Sequence, residues 1–158
     1  MDDFNATTSI CADSARQGWV PANARLVYSL ALSRETLSNN VLRAMHFHAY
    51  RIARQHWHML TRAALGRQPR EAALEQAFLV VHRYCAGAGL DWDNAYGGLK
   101  PLLDCLVLPN ERNPDGLGLI KDDSPGHMPW PPLVRQHGAK PGQGRTELLI
   151  YDISPACP

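Results

Sequence analysis

The sequence predicts an α+β fold, a mixed β-sheet packed with helices in a single domain. Three observations carry this expectation. The chain of 158 residues is long enough to bury one core. Short apolar runs of strand length stand at residues 25–32, 74–86 and 145–153. Between the first two lies a long stretch with apolar residues at helical steps. The implied order is β-α-β-α-β-β-β.

Residues 1–22 are rich in Ser, Thr, Asp and Ala without a sustained period, and predict a flexible tail ahead of a domain at 23–158. RLVYSLAL, 25–32, suits a strand, and SRETLSNN, 33–40, a loop with cap residues. A helix is expected from Leu37 or Val41 to Leu65. Leu42, Met45, Ala49, Ile52, His56, Leu60 and Ala63 form its core stripe, and Arg43, Arg51, Arg54, His58 and Arg62 a second face. GRQPRE, 66–71, ends it. LEQAFLVVHRYCA, 74–86, reads as a strand, although 74–81 also admits a helix. LKPLLDCLVL, 99–108, is a helix with Pro101 tolerated in its first turn. PNERNPDG is a loop, and LGLIKDDSP a short strand ending at Asp122 and Asp123. PWPPLVRQH is an edge strand after its prolines, GAKPGQG a turn, and RTELLIYDI the final strand.

No apolar run reaches the roughly 20 residues needed to span a bilayer, so no membrane is expected. The opening MDDFNATTSICADSARQGW is acidic and polar and lacks the pattern of a signal peptide, so a cytoplasmic location is expected. Without secretion, the Asn5-Ala6-Thr7 sequon counts as chance. Cys11, Cys85, Cys105 and Cys157 form no CxxC pair, and reduced thiols are the default.

Net charge is only +1, but it is unevenly spread. Residues 34–70 hold seven arginines against Glu35, and residues 90–125 seven acids against Lys100, Arg112 and Lys121. Such a division suits a protein that holds a polyanion on one surface and a cation at another, and equally suits clustered solubility charge. The arginines at 43, 51, 54 and 62 are candidate phosphate contacts, with a solvated face as the alternative.

The chemistry concentrates in GLDWDNAYGGLKPLLDCL, 89–106. In an extended segment Asp91 and Asp93 project to one side, and their repulsion calls for a cation or protons. Hard carboxylate oxygens suit magnesium. If the strand ending at Asp122 and Asp123 is a neighbour, a third carboxylate joins them. Lys100, the only lysine in the first 120 residues, can pair with acids or stabilise charge on a phosphoryl group. The plainer alternative is that DWDN caps a helix and DDSP is a turn. An EF-hand fails, because its fifth position is Ala95 and its twelfth Leu102. His46 and His48 point to opposite sides of a helix, and no HExxH, Walker loop, dinucleotide loop or GxSxG is present.

The order DxDN, a lysine, an aspartate four residues after it, then GxIxDD resembles the RusA-type Holliday-junction resolvases, a family common in phages and prophages. The resemblance covers residues 91–123 and extends through the strand order from about Arg25 to Ile153. It implies Asp91, Asp93 and Asp123 as magnesium carboxylates (manganese substituting), Lys100 as catalytic lysine, and Asn94 and Asp122 as supporting polar residues. It also implies a homodimer that nicks four-way DNA junctions symmetrically in recombination and repair. One departure stands out: Lys100 follows Asp93 by seven residues where the family has four. The expected accommodation is a glycine loop over AYGG, 95–98, ahead of a helix starting near Leu99; a helix starting at Asn94 would turn Lys100 away. Two other readings stay open: a non-catalytic branched-DNA or replication-associated binding module, and a small α+β protein whose acids only cap helices.

Overall fold

The computed structural model describes residues 20–155. Its elements are β1 (Arg25–Leu32), α1 (Asn39–Arg43), α2 (Phe47–Leu65), β2 (Ala77–Cys85), α3 (Trp92–Gly97), α4 (Lys100–Leu106), β3 (Leu133–Gly138) and β4 (Arg145–Asp152). The strands make one mixed sheet in the order β1-β4-β2-β3. β4 runs antiparallel to both β1 and β2, while β2 and β3 are parallel. A parallel pair needs a long crossover, and the chain between Cys85 and Leu133, carrying α3 and α4, supplies it. This is the α+β layout expected. β3, the strand introduced by prolines, lies at the sheet edge, where missing backbone donors are tolerated.

Side chains alternate along the strands and give the sheet two unlike faces. One packs against helices: Leu79 and Val81 of β2, Leu148 and Ile150 of β4 and Tyr28, Leu30 and Leu32 of β1 meet Trp57, Leu65, Leu99, Leu102 and Leu106. The other face has a smaller cluster of Phe78, Val80, Leu149, Tyr151 and Ile153, lined by Val20, Ala24, Leu26 and Leu133. Val20 thus packs with the domain, two residues before the expected boundary at 22; the rest of the expected tail, and Cys11 and Cys157, lie outside the described residues. Cys85 and Cys105 are free and buried. Among the described residues no helix is long and apolar enough to cross a membrane.

Four local expectations are corrected. The helix expected from 37 or 41 to Leu65 is two helices. α1 is capped by the Ser38 hydroxyl, which accepts from Val41 N, and α2 by His46 Nδ1, which accepts from His48 N. With His46 outside the helix, the opposed-faces argument for His46 and His48 lapses; their rings stack at 5.4 Å. The core stripe of α2 is also rotated: Ala53, Trp57, Thr61 and Leu65 are buried, whereas Ile52 is 64% exposed. Trp57, fully buried, is the largest side chain in reach of the core and sets which face turns inward.

Residues 117–121 form no strand; Ile120 makes a single parallel bridge with Leu74. Finally, DWDNAYGG is neither an extended acidic pair nor a loop. Asp91 is the N-cap of α3, Asp93 lies in its first turn, and Gly98 is its C-cap. The glycines are required by close approach. A Cβ on Gly97 would overlap the Asn39 side chain, and one on Gly98 would overlap the Leu37 carbonyl oxygen. The longer spacing before Lys100 is therefore one short helix seated tightly against the start of α1.

Candidate functional site

α4 begins at Lys100 with Pro101 in its first turn, where a missing N–H costs nothing. The i to i+4 spacing then brings Asp104 beneath Lys100, and Asp104 Oδ1 lies 2.7 Å from Lys100 Nζ. The same amine reaches Asp123 Oδ2 at 3.1 Å, across 23 residues of sequence. The second oxygen of Asp104 accepts from the Tyr50 hydroxyl of α2 at 2.9 Å, and Asn113 donates its side-chain amide to the Asp104 carbonyl. Tyr50, Asp104, Lys100 and Asp123 thus form one connected polar chain joining α2, α4 and the 121–124 turn.

This chain has defined electrostatics. Partial burial works against a charged Lys100, but the bonds and charges of Asp104 and Asp123 outweigh it and hold its pKa above the ordinary lysine value. Burial, followed by the bond to Asp104, keeps the Tyr50 phenol strongly protonated. Burial pushes the neighbouring Cys105 thiol up to about 12, with Asp104 adding to it. Cys105 donates to the Arg54 and Pro101 carbonyls, at 3.3 and 3.0 Å, as a buried structural thiol.

The structure thus joins two of the predicted site residues, Lys100 and Asp123, directly, so Lys100 does not face away. Asp91 and Asp93 take another part. Asp91 Oδ1 accepts from Asn94 N at 2.9 Å, and Asn94 Oδ1 accepts from Asn40 N at 2.9 Å, tying α3 to α1. Asp122 is held below the usual carboxylate range chiefly by the Ser124 hydroxyl, as a turn residue would be. Carboxylate oxygens are the right donors for magnesium. Their arrangement does not fit a three-carboxylate site: among the described residues no group of three or more His, Cys, Asp or Glu side chains stands together to hold an ion. Asp91 is engaged by its helix and Asp123 by the Lys100 amine.

The predicted arginine face divides. Arg43, Arg51 and Arg62 are exposed. Arg54 is turned inward, its side chain 15% exposed, with Asp115 at 3.8 Å. Tyr50, Arg112 and Asp115 were missed as site residues, because only the packing of the 109–116 loop against α2 brings them together. Asp104 was flagged by its spacing to Lys100; its bond to Tyr50 has no signature in the sequence.

A second polar cluster occupies the far end of the less covered sheet face. His82 Nδ1 and His137 Nε2 are 2.8 Å apart, and His137 stacks on Tyr84 at 4.6 Å. Tyr84 donates to Glu147 at 3.1 Å and lies under the Arg145 guanidinium. Burial lowers the pKa of both histidines, and for His82 the charge of His137 lowers it further.

No protein-family model, curated protein or solved structure matches this chain.

Proposed function

We propose that the chain is a structure-selective endodeoxyribonuclease acting on branched DNA, in the manner of the RusA-type resolvases its motifs resemble. The observation that supports this is the contact between Lys100 and Asp123: residues of two separate motifs, both catalytic in that resemblance, meet at 3.1 Å. Lys100 is the residue for the phosphate. Asp104 anchors its amine from below and the two carboxylates keep it charged, so it is poised to offset charge growing on a phosphoryl oxygen. Arg43, Arg51 and Arg62 would bear on backbone phosphates, which fix position without reading sequence. A two-fold dimer would set two such sites on a four-way junction. The cofactor of this reading is magnesium, as the resemblance implies, but Asp91, Asp93 and Asp123 do not assemble a three-carboxylate site for it among the described residues.

A second reading is a branched-DNA-binding module that does not cut. It is favoured by the carboxylates themselves, since Asp91 caps α3 and no group of three acids is assembled among the described residues. The experiment incubates the purified protein with a labelled four-way junction, in magnesium or in EDTA, beside Asp93→Asn and Lys100→Met variants. Symmetric nicks in magnesium alone, lost in both variants, support the nuclease. An intact but bound junction under every condition transfers the conclusion to the binding module. Neither binding nor cutting removes both.

A further inference from the structure

Between the start of α2 and the loop after α4 lies a pocket of about 260 Å³, walled by Phe47, Tyr50, Arg51, Arg54, Arg112 and Asp115. We infer that it seats one unpaired nucleotide of a DNA strand, its phosphate among the arginines and its base on the Phe47 ring. The inference builds on the branched-DNA reading and adds to it a binding site of defined chemistry.

Charge comes first. Three arginines share this pocket with one carboxylate. Arg54 is the best placed of them. It projects from the inward side of α2, whose backbone is tied to α4 through the Cys105 thiol and the Arg54 carbonyl. Its Nε is buried without a hydrogen-bond partner, and its Nη2 stands 3.8 Å from Asp115 Oδ2, too far for a hydrogen bond. A buried donor left unpaired is costly, and an arriving acceptor removes that cost. Arg51 and Arg112 are exposed and make no ion pair with the described residues. Guanidinium forks match the paired oxygens of a phosphate.

Size and shape set the rest. The volume lies below the roughly 300–1,000 Å³ of pockets that enclose a drug-sized ligand. It admits a phosphate and the edge of its sugar, leaving the base outside. There Phe47 stands 70% exposed at the first position of α2. Stacking on it needs a free base face, which duplex DNA offers only at ends, nicks and branches. Tyr50 joins the pocket to the catalytic candidate, because its hydroxyl bonds Asp104, which holds Lys100. A strand seated in the pocket would run toward that amine.

The test is fluorescence anisotropy of a labelled 12-nucleotide oligo(dT) in EDTA, where no cutting occurs. Replacing both exposed arginines (Arg51→Gln with Arg112→Gln) should weaken binding at least tenfold. It should also flatten the log–log salt slope by about 0.7, the value of roughly one single-strand phosphate contact. Phe47→Ala should weaken binding by roughly tenfold. Asp115→Asn should tighten it several-fold, since it removes the one carboxylate competing for Arg54; a purely structural role for Asp115 would not produce tighter binding. Unchanged binding in the double variant, or weaker binding in Asp115→Asn, overturns the inference. Thymidine monophosphate that displaces the oligonucleotide at equal concentration per nucleotide overturns the strand-bound version in favour of a free nucleotide. The two proposals fail separately. Pocket-dependent strand binding without junction cutting keeps the pocket and loses the nuclease, and junction cutting with pocket-independent strand binding does the reverse.

Discussion

Two neighbouring corners of the molecule use their polar side chains in opposite ways. At the corner of α3 and α4, Asp91 caps a helix, Asn94 ties α3 to α1, and Asp104 and Asp123 share the Lys100 amine. Each of these groups has a partner, and the Asn39 side chain against Gly97 and the Leu37 backbone against Gly98 leave no room for a methyl group. At the first turns of α2, Phe47 and Ile52 stand in the open, Arg51 has no ion pair with the described residues, and Arg54 keeps a buried unpaired Nε. One corner holds the fold together. The other leaves charge and aromatic surface uncommitted, which is what a binding surface requires and what stability alone would not select.

Substitutions can break this contrast, and the largest effect belongs to the tight corner. Gly98→Ala drives a methyl group into the Leu37 carbonyl, so α1 and α3 must separate. A loss of about 3 kcal/mol or more is expected in urea unfolding, at the upper end of overpacking costs. A loss below about 1 kcal/mol would mean that α3 is not seated there. Asp104→Ala comes next, since it strips partners from both Tyr50 and Lys100. A loss of about 2 kcal/mol is expected for charged hydrogen bonds of this kind, and Asp104→Asn, which can still accept from Tyr50, should lose less. Asp91→Ala removes the cap of α3 and should cost about 1 kcal/mol. If instead Asp91→Ala raises stability, the carboxylate is repelled by its neighbours more than it is used by the helix.

Lys100→Gln should have the smallest effect among the changes at this corner, because the amine is half exposed. Its value lies in the pH dependence. The folded pKa is raised, so the pairing contributes fully below the unfolded value near 10.5 and disappears as pH rises through the folded one. The difference in Tm between wild type and Lys100→Gln should stay level from pH 6 to 9 and shrink above about 10.5. A difference that grows with pH would contradict the arrangement around Asp104 and Asp123. Arg62→Gln, on the uncommitted side, should stay within about 0.5 kcal/mol at every pH.

Part of this architecture was legible in the chain. β1, β2 and β4 were foreseeable because their apolar content is concentrated in runs of strand length. The prolines marked β3 as an edge strand, and the four-residue spacing of Lys100 and Asp104 on a helix needs no other information. The inward face of α2 was misread because several of its faces carry apolar residues and periodicity weighs them alike; burying Trp57 decides between them.

By itself, then, the sequence determined the four strands of the sheet, the helix ends marked by Pro101 and Gly66, and the local pairing along α4, since each depends on backbone preference or on neighbours within one helical turn. Only the tertiary structure decided that Lys100 meets Asp123, that Tyr50 reaches Asp104, that Gly98 must clear Leu37, and that Arg54 and Arg112 face one pocket. Those contacts join segments far apart in sequence. They form because the sheet and the Trp57 core bring these segments together, and no local pattern of residues encodes that meeting.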